Sequence, residues 1–383
     1  MTDPINTKPR VSVVVPVFNG GSGLEKCLAA IFASSYPVFE CILVDDGSTD
    51  GMAKSAKEQF GVHLIQMEDQ GGPARARNQG AAQAKGDILF FTDADVMLHP
   101  DALQQAVTAL QSEPDISAVF GSYDDQPDHP SFLSQYRNLL HHWVHQTSSE
   151  EATTFWTGCG AIYRDVFISM NGFSEKFERP SIEDIEFGMR MRESGYRIRL
   201  EKTLLATHMK HWTIGGVIKT DLFQRGVPWM LLLLSSQQLN SDLNLGYKAR
   251  IATALAGLLG LLLVVLPLTG HALALVPAAA FLLGASAGSW FLTASGRSHM
   301  AIPLILAVVP PVLCYTLAPD AVALLPLALI LTIVLTHLGF YRFVAGKRNI
   351  AFAIAAVPAH LVFFLCCAVS IPIALAKHYS GSR

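Results

Sequence analysis

The chain has 383 residues, 51% of them hydrophobic, a mean hydropathy of +0.34 and a formal charge of −3. That charge offers no attraction to nucleic acid. The six cysteines are scattered without a C-x-x-C pair, which excludes a disulfide framework or a zinc site as the organising element.

In chain order, the opening MTDPINTKPR (1–10) is polar throughout and is not expected to act as a signal peptide. Near-continuous apolar runs follow at 11–18, 39–44, 62–67, 87–91 and 116–120. Such runs predict strands of a parallel sheet covered on both faces. Helical patterns lie between them: Leu24, Leu28, Ile31 and Phe32 share a face behind a capping-box signature at Ser22 and Glu25, and 52–60, 74–84 and 100–111 also read as helices. Alternating strands and helices predict a doubly wound α/β sheet, which binds ligands at the carboxyl ends of its strands.

Polar groups cluster at those ends. The first strand ends in Pro16-Val17-Phe18-Asn19, the second in DDGSTD with Asp45 and Asp46, the fourth in Thr92-Asp93-Ala94-Asp95. Extended chain would point Asp93 and Asp95 to the same side, where like charges repel. A solvated turn and a cation held between the two carboxylates are both compatible with that pattern. After the third strand, GGPARARNQG (71–80) offers glycines for close backbone approach and Arg75 or Arg77 for a phosphate. His141, His142 and His145 share a helix face, with nothing near them that demands zinc.

Up to about Lys248 the chain is mixed and charged, and beyond Arg250 the charges nearly vanish. The segment 220–239 is apolar with a Trp, is interrupted by Gly-Val-Pro, and is expected to lie as an interfacial helix against the membrane, with Arg225 placed to meet a lipid phosphate. No Asp, Glu, Lys or Arg occurs from Ile251 to Gly296, only Asp320 from Ser298 to Tyr341, and none from Asn349 to Ala376. About five membrane spans are expected, near 250–269, 272–293, 300–318, 321–341 and 350–376. The third carries Pro303, Pro310 and Pro311 and could be broken or re-entrant. Lys248, Arg250, Arg297, Arg342, Lys347 and Arg348 place the N-terminal part in the cytoplasm of a multi-pass inner-membrane protein, with Lys377 and Arg383 in mild conflict.

VVVPVFN, VDDGSTD, ARNQG, DADV, GCGAIYRDVF…NGF and IEDIEFGMRMRESGYRI occur in this order between Val11 and about Trp212. In that order and spacing they resemble the family 2 glycosyltransferases of GT-A fold. The resemblance implies a Rossmann-like GT-A domain over 1–215, followed here by an interfacial segment over 216–247 and an all-α transmembrane domain over 248–383. It implies inverting transfer of a sugar from a nucleotide-sugar donor, with a UDP-sugar as the leading expectation. The membrane half points to a lipid or lipid-linked acceptor at the cytoplasmic leaflet.

Carried over by position, Pro16, Asn19, Asp45 and Asp46 would sit at the base of the nucleotide, and Arg77, Asn78 and Gly158 would help hold the donor. Asp93 and Asp95 would be the DxD pair holding Mg²⁺ or Mn²⁺ against the diphosphate, with Asp95 the direct ligand and His208 a further one. Asp184 would be the base that takes the acceptor proton, with Glu183 as second choice and attraction to the helix dipole as the plain alternative. His208-x-x-His211-Trp212 stands where membrane-bound synthases of the family carry Gln-x-x-Arg-Trp, so His211, Trp212 and Arg225 become candidates for the acceptor or diphosphate. That departure argues against a processive polysaccharide synthase. A polyprenyl-phosphate sugar synthase is a second alternative, and it would not need Asp184, because a phosphate acceptor is already ionised. A non-catalytic nucleotide-sugar sensor is a third.

Overall fold

The computed structural model describes residues 8–236, 246–270 and 321–381, with isolated positions between 275 and 282. The expected spans at 272–293 and 300–318 otherwise lie outside the described residues. The chain divides into two compact units: Met1–Pro130 with Val144–His211, and Ser131–Trp143 with Trp212–Arg383.

The first unit is built on one sheet. Its strands are β1 (Val11–Val17), β2 (Val38–Asp45), β3 (His63–Gln66), β4 (Ile88–Thr92), β5 (Val96–Leu98), β6 (Ile116–Tyr123), β7 (Glu151–Ala152), β8 (Cys159–Tyr163) and β9 (Arg197–His208). The order is β3-β2-β1-β4-β8-β6-β9-β5, with β7 on β9. β1 to β4 pair in parallel, as the apolar runs predict. β8 then enters antiparallel between β4 and β6, so the sheet is mixed rather than purely parallel. β5, β7, β8 and β9 lie outside the apolar runs that mark strands in the sequence. β9 mixes charge and apolar residues along its length, because parts of it face solvent.

The helices α1 (Gly21–Phe32), α2 (Met52–Phe60), α3 (Gly72–Gln83) and α4 (Ala102–Ser112) cover the sheet, close to their expected bounds. The capping box is a correction. α1 starts one residue before Ser22, so Ser22 lies inside it and no side chain caps it. Its first free amide is met from another loop instead, by Gly21 N–H donating to Asp50 Oδ2 at 3.0 Å. The remaining helices here are α5 (Phe132–Thr147), whose residues from Val144 onward belong to this unit, α6 (Arg164–Ser169) and α7 (Glu183–Glu193). α7 lies hard against the chain at 154–155: a Cβ on Gly188 would sit 2.2 Å from the Phe155 nitrogen. His145 is a core residue that donates from its ring to the Gly121 carbonyl at 2.8 Å.

The second unit is helical among its described residues. α8 (Ile214–Ile218) runs through a π-helical stretch, Lys219–Gly226, into α9 (Val227–Ser236). The Gly-Val-Pro sequence therefore does not break the helix as expected. Pro228 follows the π-helical stretch directly inside this continuous run, and Gly226 permits close contact. A Cβ there would meet the Asp221 carbonyl at 2.6 Å and Ser370 at 2.9 Å. Asp221 is buried and takes a forked ion pair from Arg137 at 2.7 and 3.0 Å.

α10 (Tyr247–Leu268) and α13 (Ile350–Ser380) are long and apolar enough to cross a membrane. α11 (Ala321–Thr336) and α12 (Leu338–Lys347) pass the same test only together, and they bend by 68° at His337. The span expected at 321–341 is therefore not straight. Thr336 Oγ1 donates to the Ile333 carbonyl at 2.8 Å and the His337 ring bonds it at 3.2 Å, so that carbonyl at the bend is shared between side chains and the His337 N–H at 3.3 Å. α13 is the hub of this unit, packing on α9, α10 and α12.

Candidate active site

The carboxyl ends of β1, β2 and β4 are held by short polar loops. Pro16 pairs with Val44 across β1 and β2, and the Asp46 N–H donates to the Val17 carbonyl at 2.8 Å. Asn19 turns with φ 51° and locks onto the next loop, its Oδ1 accepting the Thr49 N–H at 2.9 Å. Asp45 and Asp46 are both buried. Asp46 spends both oxygens on backbone, accepting Gly71 N–H at 2.7 Å and Gly72 N–H at 2.9 Å. Asp45 accepts the Ser48 N–H at 2.9 Å through one oxygen.

β4 ends at Thr92, and Asp93 to Asp95 form a turn before β5. The Val96 N–H closes it onto the Asp93 carbonyl at 3.0 Å, and the Cys27 thiol donates to the same carbonyl at 3.4 Å. The alternation assumed for extended chain therefore fails, and the two carboxylates part company. Asp93 accepts from Arg77 Nη2 at 2.6 Å. Asp95 lies 3.7 Å from His208 Nε2, which β9 brings up by pairing His208 with Val96 of β5. The His208 ring is itself buried and stacks on Tyr123 at 4.2 Å. Burial pushes the Asp95 carboxyl up, but His208 and then Lys210 outweigh it and hold it below the ordinary carboxylate range.

Arg77 and Asn78 face inward. The buried Arg77 guanidinium also donates from Nη1 to Glu183 Oε1 at 2.9 Å, so both of its terminal nitrogens serve protein carboxylates rather than an outlying phosphate. Burial opposes its charge, but Asp93, Glu183 and Asp184 keep it well above its ordinary value. Asn78 donates to the Phe173 carbonyl at 2.9 Å and Glu175 at 3.0 Å and accepts the Phe173 N–H at 2.9 Å, pinning that loop. Arg75, by contrast, is exposed.

α7 opens with Glu183 and Asp184. Glu183 is buried, its second oxygen accepting the Ser181 N–H at 3.0 Å. Asp184 accepts the Thr157 N–H and hydroxyl, both at 3.3 Å, and the Ile185 N–H at 2.9 Å. Thr157 precedes Gly158, whose carbonyl accepts the Thr92 hydroxyl at 3.0 Å. Asp184 thus stands two short links from the Asp93 turn. Thr157 is a functional neighbour that the sequence does not signal, since a lone Thr in TGCG carries no pattern. His211 stacks on His129 at 4.0 Å. Trp212 and Arg225 belong to the second unit, where Trp212 is buried and Arg225 exposed.

Among the described residues no three His, Cys, Asp or Glu side chains converge on one point. Asp95 and His208 alone suit a hard cation that takes its other ligands from a diphosphate and water, as Mg²⁺ commonly does. Ligands at about 2.1 Å on one ion can stand up to about 4.2 Å apart, so their 3.7 Å separation fits.

Residues 12–169 match the model of glycosyl transferase family 2. The chain carries a family 2 glycosyltransferase domain. This domain holds every candidate from Pro16 to Gly158. Glu183, Asp184, His208, His211 and Trp212 fall in residues 140–212, which match the N-terminal domain of galactosyltransferase. The glycosyltransferase GlyG of Streptococcus pneumoniae is 34% identical over 117 residues, 30% of this chain and 38% of that protein. An uncharacterized glycosyltransferase of Haemophilus influenzae is 24% identical over 255 residues, 62% of this chain and 82% of its own. The match spans less than two fifths of the first curated relatives, 38% and 36% of their lengths. A solved mannosyltransferase of Pyrobaculum calidifontis, in complex with GDP-Man and Mn²⁺, aligns over 99% of this chain and 89% of its own at 19% identity and a TM-score of 0.48.

Proposed function

We propose that this chain is a membrane-bound, inverting glycosyltransferase that moves a sugar from a nucleotide-sugar donor, a UDP-sugar first among them, to a lipid or lipid-linked acceptor. The observation that carries this reading is the short path Asp184–Thr157–Gly158–Thr92–Asp93, which sets a carboxylate at a helix start beside the DxD turn. The Asp184 carboxylate takes the acceptor hydroxyl proton as that oxygen bonds to the anomeric carbon from the face opposite the leaving group. The bond from sugar to diphosphate breaks, and the nucleoside diphosphate leaves with the electron pair. Asp95 and His208 are the groups that would hold Mg²⁺ or Mn²⁺. When bound, such a cation neutralises the charge that grows on the leaving diphosphate. Asp45, at the carboxyl end of β2, is the group assigned to the nucleotide base.

Support for the membrane comes from the second unit. Leu261, Val264 and Leu268 of α10 are 57%, 59% and 80% exposed, too much hydrocarbon for a surface helix in water. In this reading the protein is multi-pass, the catalytic domain cytoplasmic, and the acceptor lipid drawn from that leaflet. The test is to incubate the purified full chain in detergent with labelled UDP-, GDP- and dTDP-sugars and a membrane lipid extract. A labelled lipid product is expected with one donor. Label confined to a water-soluble product would overturn the lipid acceptor, and no transfer from any donor would overturn the enzyme.

A further inference from the structure

We propose that Arg77 is a positioning residue that holds the two halves of the reaction site in register, an inference that rests on the transferase reading above. Arg77 is 4% exposed, and its guanidinium sits between elements far apart in the chain. One terminal nitrogen meets Asp93 at the end of β4, and the other meets Glu183 at the first position of α7. Asp93 belongs to the DxD turn on the donor side. Glu183 is joined by one peptide to Asp184, the base on the acceptor side. A planar, forked cation fixes both distance and angle between two carboxylates, which a lysine ammonium cannot do.

Three further contacts brace the elements that the fork joins. Glu183 is tied on its second oxygen to the Ser181 N–H, so a shift of its carboxylate drags the start of α7. Gly188 wedges the middle of α7 on the Phe155 backbone, so the helix cannot slide inward to compensate. Arg77 itself is anchored on α3, and Ala74, Ala76, Gly80 and Ala81 on that helix are buried. Losing the fork therefore leaves the start of α7 held only loosely, by the 3.3 Å contacts of Asp184 with Thr157 among those described, without unfolding the sheet. Glu183, the second-choice base, becomes a buried counter-ion in this arrangement.

The experiment compares wild type, Arg77→Lys and Glu183→Gln as full chains in detergent, with the donor identified by the transfer assay. Arg77→Lys keeps the buried charge but loses the fork. Its kcat should fall by about 10²-fold, the cost of a misplacement near 1 Å, with nucleotide binding in the presence of Mn²⁺ within about threefold of wild type. Glu183→Gln should show the same split, and the double variant should be no worse than either single one, since both break one link. The pH dependence of kcat should keep its shape in all three. A base, once removed, would take the acid limb with it. Near-normal kcat in Arg77→Lys, or additive losses in the double variant, would overturn the bridge. A lost acid limb in Glu183→Gln would make Glu183 the base and also overturn it. Should Arg77→Lys fail to melt cooperatively, Glu183→Gln alone decides between these outcomes. A wild-type chain inactive with every donor removes the transferase reading first, and the bridge falls with it.

Discussion

Asp95 and His208 bring a carboxylate and an imidazole to 3.7 Å across the edge of the sheet. The approach is made by backbone pairing, with Val96 opposite His208 and the Met209 N–H donating to the Asp95 carbonyl at 2.9 Å. The gap is too long for a hydrogen bond and short enough for two ligands of one ion. Chelation is therefore expected to abolish transfer, with Mn²⁺ or Mg²⁺ restoring it. Asp95→Ala should behave like the chelated protein, and His208→Ala should raise the metal concentration needed for half-maximal rate. Full activity in excess chelator would remove the metal from the reaction.

Asp184 touches Thr157 and its own helix start rather than the DxD carboxylates, so donor binding and proton removal should separate. Asp184→Asn keeps the shape and removes the basic oxygen. Transfer should drop by roughly 10²–10⁴-fold, while nucleotide binding measured by calorimetry with metal present stays close to wild type. Near-normal turnover would shift the assignment to a phosphate acceptor, which needs no base.

Asp46 holds the loop before α3 with both oxygens. Asp46→Ala leaves two amide donors without that partner, at a cost of about 1–3 kcal/mol for each one left buried and unmet. Thermal unfolding of the first unit should move down accordingly. An unchanged transition would show that the loop finds other partners.

His99 reports on pH. Its ring bonds Asp124 at 2.9 Å, and that bond, against burial and with the charges of Asp124 and Asp101, raises it above the ordinary histidine range. A raised folded value means the stabilisation is complete below the unfolded pKa, about 6.5, and is lost as pH rises through the folded value. His99→Gln should therefore lower the unfolding temperature at about pH 5.5 and do so less at about pH 9. An equal shift at both would show that charge plays no part. Because the ring is partly exposed, the effect should be modest.

The sequence by itself was enough for the parallel half of the sheet and the order of the motifs. Apolar runs buried on both faces leave little choice of structure, and β1, β2 and β4 lie where their runs predict. It also marked α10 and α13 as apolar stretches long enough to span a membrane, because length and hydropathy alone set that property. Only the tertiary structure decided what the polar residues do. Arg77 looked like a phosphate ligand and turned inward, because Asp93 and Glu183 close around it from β4 and α7. Asp93 and Asp95 looked like one like-charged pair and were parted by a turn that gives each its own cationic or imidazole neighbour. Local sequence carries propensity and periodicity, but a carboxylate's partner is chosen by strands and helices that meet only after the sheet has closed.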